Sequence, residues 1–132
     1  MSTVTGVDAR VTGACRVDRR TKDLAKRLRP GEIAVIDHTD IDRVAAESLI
    51  AAGVAAVVNA GTSISGRYPN VGPIRLLRAG VPIVDGVDRS ILEDVAEGDT
   101  LRVAGGEVFH GPDRVAVGLP LTIEAEIGRA HV

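Results

Sequence analysis

The stretch Val54–Asn70, VAAVVNAGTSISGRYPN, decides how this chain is read. Val54–Asn59 is a small apolar run with the character of a buried strand. It empties into a polar loop carrying Gly61, Ser63, Ser65, Gly66, Arg67, Tyr68 and Asn70. In an open α/β sheet, ligands sit in the crevice beyond the carboxyl ends of the strands. Long polar loops at such ends are disproportionately functional.

Working outward, the same rhythm repeats on both sides. Upstream, Val11–Val17 reads as a short strand and Thr21–Leu28 as a helix closed by Pro30-Gly31. Ile33–Asp37 is a compact strand. A helix follows through Asp42–Ala52, capped by Asp40 or Thr39 and ended by Gly53. Downstream, Asn70 caps a helix with Pro73 in its first turn, Gly80 stops it, and Val81–Val84 is the next strand. This β-α-β-α-β order predicts parallel strands joined by right-handed crossovers. The pattern then changes to short runs, Leu101–Val103, Glu107–Phe109 and Val115–Val117, separated by glycine-rich turns. Ala104–Gly106 marks a β-hairpin. Residues 1–10 read as a loose or edge-bound lead-in, and Leu121–Arg129 as a final helix or an extended tail.

Composition narrows the function classes. At 132 residues the chain suits one domain with a real core. It is 45% hydrophobic but only 2% aromatic, so Val, Ile, Leu and Ala must form that core. A net charge of -2 argues against a general nucleic-acid binder. Cys15 has no cysteine partner, which points to a reducing cytoplasm. The opening MSTVTGVDAR lacks an apolar leader core and no run reaches membrane-spanning length, so no direct membrane insertion is expected.

The polar loop copies the glycine spacing of a phosphate-binding loop, Gly61 to Gly66, but Arg67 replaces its lysine and Tyr68 its metal-holding hydroxyl residue. A Walker-type nucleotidase is thereby excluded. A general anion site remains, with Ser63, Ser65, Gly66, Arg67 and Asn70 gripping an anionic group. The plain alternative is a connecting loop whose arginine pairs with a local carboxylate. Asp37, His38, Asn59 and Asp85 emerge at the same sheet edge by topology. The first three would orient a polar ligand, although His38 taken alone reads more readily as a capping-region residue bonding the next helix. The basic segment around Arg19, Arg20 and Lys22 adds charge for phosphates or an acidic partner, or else forms a solvated face; alternation places Arg16 and Asp18 together as an ion pair. No residues have metal-ligand spacing, no metal is expected, and no catalytic set is assigned.

Four phrases carry a resemblance: Val17-Asp-Arg-Arg-Thr-Lys-Asp-Leu24, Pro30-Gly-Glu-Ile-Ala-Val-Ile-Asp-His38, Asp42-Arg-Val-Ala-Ala-Glu47 and, most specifically, Ser63-Ile-Ser-Gly-Arg-Tyr-Pro-Asn70. They resemble the N-terminal part of actinobacterial SteA-like proteins, a family associated with the cytokinetic ring. The resemblance implies cell-division proteins as partners. It also implies a following domain similar to thiamin pyrophosphokinase and a membrane-spanning segment, so that residues 1–132 would be an N-terminal domain excised from a longer protein. A more distant likeness, over the polar loop, Ala79–Ile83 and Glu97–Val103, is to phosphohistidine swivelling domains, which implies a three-layer β/β/α architecture. Thr62–Asn70 holds no histidine, so a phosphoryl carrier is contradicted at its one indispensable position.

The expectation is thus an α/β domain, three-layer β/β/α, with a mainly parallel sheet and a small β-hairpin layer. Its expected role is a non-catalytic, ligand-responsive or partner-binding module taking a nucleotide or other phosphate-bearing ligand. The alternative role is a substrate-binding half-site that assists the thiamin-pyrophosphokinase-like domain.

Overall fold

A computed structural model describes residues 10–65 and 71–124. Among the described residues eight strands and four helices follow one another in the order β1 (Arg10–Val17), α1 (Thr21–Arg27), β2 (Ile33–Ile36), α2 (Arg43–Ala51), β3 (Ala56–Asn59), α3 (Gly72–Arg78), β4 (Ile83–Asp85), α4 (Ile91–Asp94), β5 (Thr100–Ala104), β6 (Glu107–His110), β7 (Asp113–Val117) and β8 (Leu119–Pro120). The sheet order is β7-β6-β5-β1-β2-β3-β4-β8. β1 to β4 form the parallel centre, with Cys15 opposite Ile33, Ile33 opposite Ala56 and Val57 opposite Ile83. β5, β6 and β7 add an antiparallel meander at the β1 edge, and β8 closes the other edge against β4. The α/β class with a parallel sheet at its centre is as expected, whereas the strands expected as a separate hairpin layer continue the same eight-stranded sheet through β5 against β1.

Alternation along the strands explains the layers. Ala34, Ile36, Val57 and Ile83 face one way and pack with Leu24, Leu49, Leu76 and Leu77 of α1, α2 and α3. Ile33, Val35, Ala56, Val58 and Val84 face the other way and meet Ile91, Leu101, Val103, Val108 and Ala116. The central strands are thus buried on both sides, helices covering one face and α4 with the antiparallel meander the other. No large aromatic ring is needed at either interface.

Boundaries follow local chemistry. α1 ends one residue earlier than expected, because Leu28 turns extended two residues before Pro30. Gly53 and Gly80, both with φ near +80° (80° and 84°), end α2 and α3 as expected. The cap of α2 is Asp42, not Asp40 or Thr39. Asp42 is extended, directly precedes the helix, and its Oδ1 accepts the Ala45 N–H at 2.8 Å. Asp40 instead adopts φ +57° and ties down the loop that follows β3. The cap proposed at Asn70 lies outside the described residues; Val71 stands at the N-cap position of α3 with no side-chain cap. β4 starts two residues later than expected, since Pro82 has no N–H to donate and contributes only its carbonyl, to Val57 N at 2.9 Å. Arg10, placed in the lead-in by sequence, already pairs with Ala104 in the sheet.

The Gly105-Gly106 turn joins β5 to β6 as predicted, Ala104 pairing with Glu107 and Gly105 taking φ +61°. The one-turn α4 and the two-residue β8 carry too short a pattern to be seen in sequence. Leu121 is buried against the helix-side core; residues beyond 124 lie outside the description.

Candidate functional site

The carboxyl ends of β2, β3 and β4 are bound together by a set of buried polar side chains. Asn59, the last residue of β3, is fully buried. Its Oδ1 accepts the N–H groups of His38, at 2.9 Å, and Gly61, at 2.8 Å. Its Nδ2 donates to the His38 carbonyl at 2.8 Å and to Ser63 Oγ at 2.9 Å. Ser63 in turn donates to Asp85 at the end of β4, Oγ to Oδ1 at 2.5 Å and N–H to the same oxygen at 3.0 Å. Asn59 thereby acts on backbone geometry, fixing where the chain leaves β2 and β3. Gly61 is required here, because a Cβ would lie 2.8 Å from the His38 carbonyl carbon.

A second layer anchors the loop from the α2 side. Asp40 and Ile41 donate their N–H groups to the carbonyls of Thr62 and Ser63, at 2.8 and 2.9 Å. The Asp40 carboxylate accepts the Ser65 N–H at 2.7 Å and its hydroxyl at 2.9 Å. The stretch up to Ser65 is therefore rigidly framed. Gly66, Arg67 and Asn70, the residues expected to grip the anion with Ser63 and Ser65, lie outside the described residues.

Beside this frame, between the β1–α1 and β2–α2 connections, lies a cavity of about 340 Å³ lined by Thr21, Lys22, His38, Asp42, Val44, Ala45 and Ser48. The sheet edge and the basic segment, read separately from sequence, meet in it through His38 and Lys22. His38 Nδ1 lies 2.7 Å from Thr21 Oγ1, and Thr21 is 3% exposed. Asp37, by contrast, is drawn to Arg89, with Oδ2 3.1 Å from Nε. Arg19 and Arg20 are exposed just before α1, and neither side chain makes an ion pair among the described residues. Thr21, Asp42, Ala45 and Ser48 were not singled out as lining residues. Ala45 and Ser48 share a helix face at i, i+3, but nothing in their spacing shows that α1 stands opposite.

Two further arginines of the basic segment, Arg16 and Arg27, are tied into ion pairs. Arg16 makes a two-pronged contact with Glu32, at 2.9 and 3.1 Å, rather than pairing with Asp18. Asp18 pairs with Arg27 at 2.9 Å, and Arg27 also meets Glu97 at 2.6 Å. Arg27 holds the Glu97 carboxyl down to about 2. Among the described residues no group of three or more His, Cys, Asp or Glu side chains is arranged to hold a metal ion. Cys15 is buried, and that burial raises its thiol to about 11.

No family model matches the chain, and no curated protein matches it. Its fold is similar to that of 3-isopropylmalate dehydratase (leuD) from Methanocaldococcus jannaschii. That likeness covers 90% of this chain and 87% of the other, with a TM-score of 0.50 and 12% identity. At such identity the likeness is one of fold alone. The α/β architecture is common to both, and the dehydratase's chemistry is not carried over. Among the described residues no helix is long and apolar enough to cross a membrane.

Proposed function

We propose that this domain is a non-catalytic, ligand-responsive or partner-binding module of a cytoplasmic cell-division protein, with its ligand received at the carboxyl edge of the parallel strands. One observation carries the binding half of this reading: a cavity of about 340 Å³ opens at that edge, lined by His38 and Lys22, beside a loop held by buried Asn59, Ser63 and Asp85. A volume in the range of small-molecule sites supports a metabolite-sized ligand. The cell-division half rests on the SteA-like phrases in the sequence, as do a thiamin-pyrophosphokinase-like neighbouring domain and division-ring partners.

The test is a thermal-shift screen against nucleotides, phosphosugars, thiamin compounds and cell-wall precursors. A ligand at a hundredfold excess over its dissociation constant adds about 2.7 kcal/mol, a readily visible rise in melting temperature. Repeating the screen with Arg67→Ala assigns the loop: loss of the shift keeps it in the site. An undiminished shift removes Arg67 from it, and no shift from any class sinks the ligand-binding reading.

A further inference from the structure

The cavity between α1 and α2 contains a histidine in hydrogen-bond contact with the hydroxyl of a buried threonine. Thr21 Oγ1 and His38 Nδ1 are 2.7 Å apart, and the Thr21 hydroxyl has no other hydrogen-bond partner among the described residues. A hydroxyl carries one hydrogen and two lone pairs. If Thr21 accepted from Nδ1–H, its own hydrogen would have no protein acceptor among the described residues, whereas donating to Nδ1 satisfies both groups. The arrangement that satisfies both groups has Thr21 donating to Nδ1, which in a neutral ring leaves the proton on Nε2. Nε2 has no partner among the described residues, and the ring lines the cavity.

Lys22, the next residue along α1, lines the same cavity. Arg16 and Arg27 of the same segment are held by Glu32, Glu97 and Asp18, whereas Lys22 makes no ion pair among the described residues. Two donors, one of them cationic, thus border one cavity, while Val44 and Ala45 supply apolar wall. Asp42, whose Oδ1 accepts the Ala45 N–H, also lines the cavity, and like-charge repulsion confines the anionic end of a ligand to the His38 and Lys22 side.

We infer that this cavity recognises the anionic group of a small ligand, a phosphate or carboxylate on a compact apolar body, through His38 Nε2–H and the Lys22 ammonium, with Thr21 as the positioning residue. The inference rests on the ligand-binding reading above and gives it a chemical class.

The test is nitrogen-15 NMR of the histidine rings at a pH of about 8, above the ordinary imidazole range. His38 is expected as the Nε2–H tautomer, kept by Thr21→Ser and lost or mixed in Thr21→Val, which preserves shape without the hydroxyl. An Nδ1–H ring in the unaltered protein overturns the assignment. Phenyl phosphate and benzoate are then titrated separately, and whichever moves the His38 ring signals saturably names the anion. Lys22→Ala, an exposed change whose folding is checked by its melting temperature, should weaken that binding about tenfold or more. No saturable change with either probe, or undiminished affinity in Lys22→Ala, overturns the inference. A ligand from the thermal screen that leaves His38 unmoved overturns this inference alone and leaves the ligand-binding reading standing.

Discussion

Asn59 ties the end of β2 to the loop that follows β3. Both ends of its amide are engaged, and three of its four partners are backbone groups of His38 and Gly61. Asn59→Ala would leave those groups buried without partners. The expected cost is about 2–4 kcal/mol, read as a lower urea midpoint with unchanged slope. Asn59→Asp cannot donate to the His38 carbonyl and should be destabilising as well. Cys15 gives the opposite kind of prediction. With its side chain enclosed and its thiol near 11, it should resist a thiol reagent in the folded protein at neutral pH and react only as fast as the chain opens. Rapid native-state labelling would contradict that burial. Sequence singled out Asn59 through its place at a strand end. The contact to the Gly61 N–H is local, two residues on, but that the amide would also be taken up by His38 was not legible, because His38 comes within reach only once β2 and β3 pair.

Among the elements, α2 shows how local chemistry and context divide the work. The sequence points to Asp40 or Thr39 as its cap, yet Asp42 takes that position, and propensity alone does not separate the three. Asp42 takes the position because Asp40 is recruited by Ser65 on a different element. Replacing Asp42 with alanine should cost about 1 kcal/mol in thermal or urea unfolding, and with asparagine only a few tenths. Equal losses in both variants would mean that its charge, rather than its cap, matters. α3 owes its seat to Gly72, where a Cβ would fall 2.1 Å from the Ile41 carbonyl oxygen. The central strands were legible because they are buried on both faces and so read as short continuous apolar runs between glycine and proline signals. The short β8 escaped because two residues, one of them proline, carry no period.

For the molecule as a whole, the charged cluster joining β1, α1 and the turn before β5 sets the response to acid. Glu97 accepts the Val17 N–H at 2.7 Å and pairs with Arg27, which holds its carboxyl near 2 against an ordinary 4.5. A carboxyl so depressed contributes stability that is complete above about 4.5 and fades as the pH falls toward 2. The natural protein should therefore lose its melting-temperature advantage over Glu97→Gln across that window. Because both side chains are partly exposed, added salt should shrink the difference. A difference that persists unchanged at pH 2 would show that the carboxylate's charge is not its source. The sequence by itself determined the parallel α/β centre, the glycine stops, the hairpin turn and an aliphatic core, since these depend on neighbours within a few residues. Only the tertiary structure decided that Arg16 meets Glu32 rather than Asp18, that Glu97 reaches Val17 across 80 residues, and that Lys22 and His38 face one cavity. The physical reason is range: periodicity is read along the chain, whereas partners are chosen by which strands lie side by side.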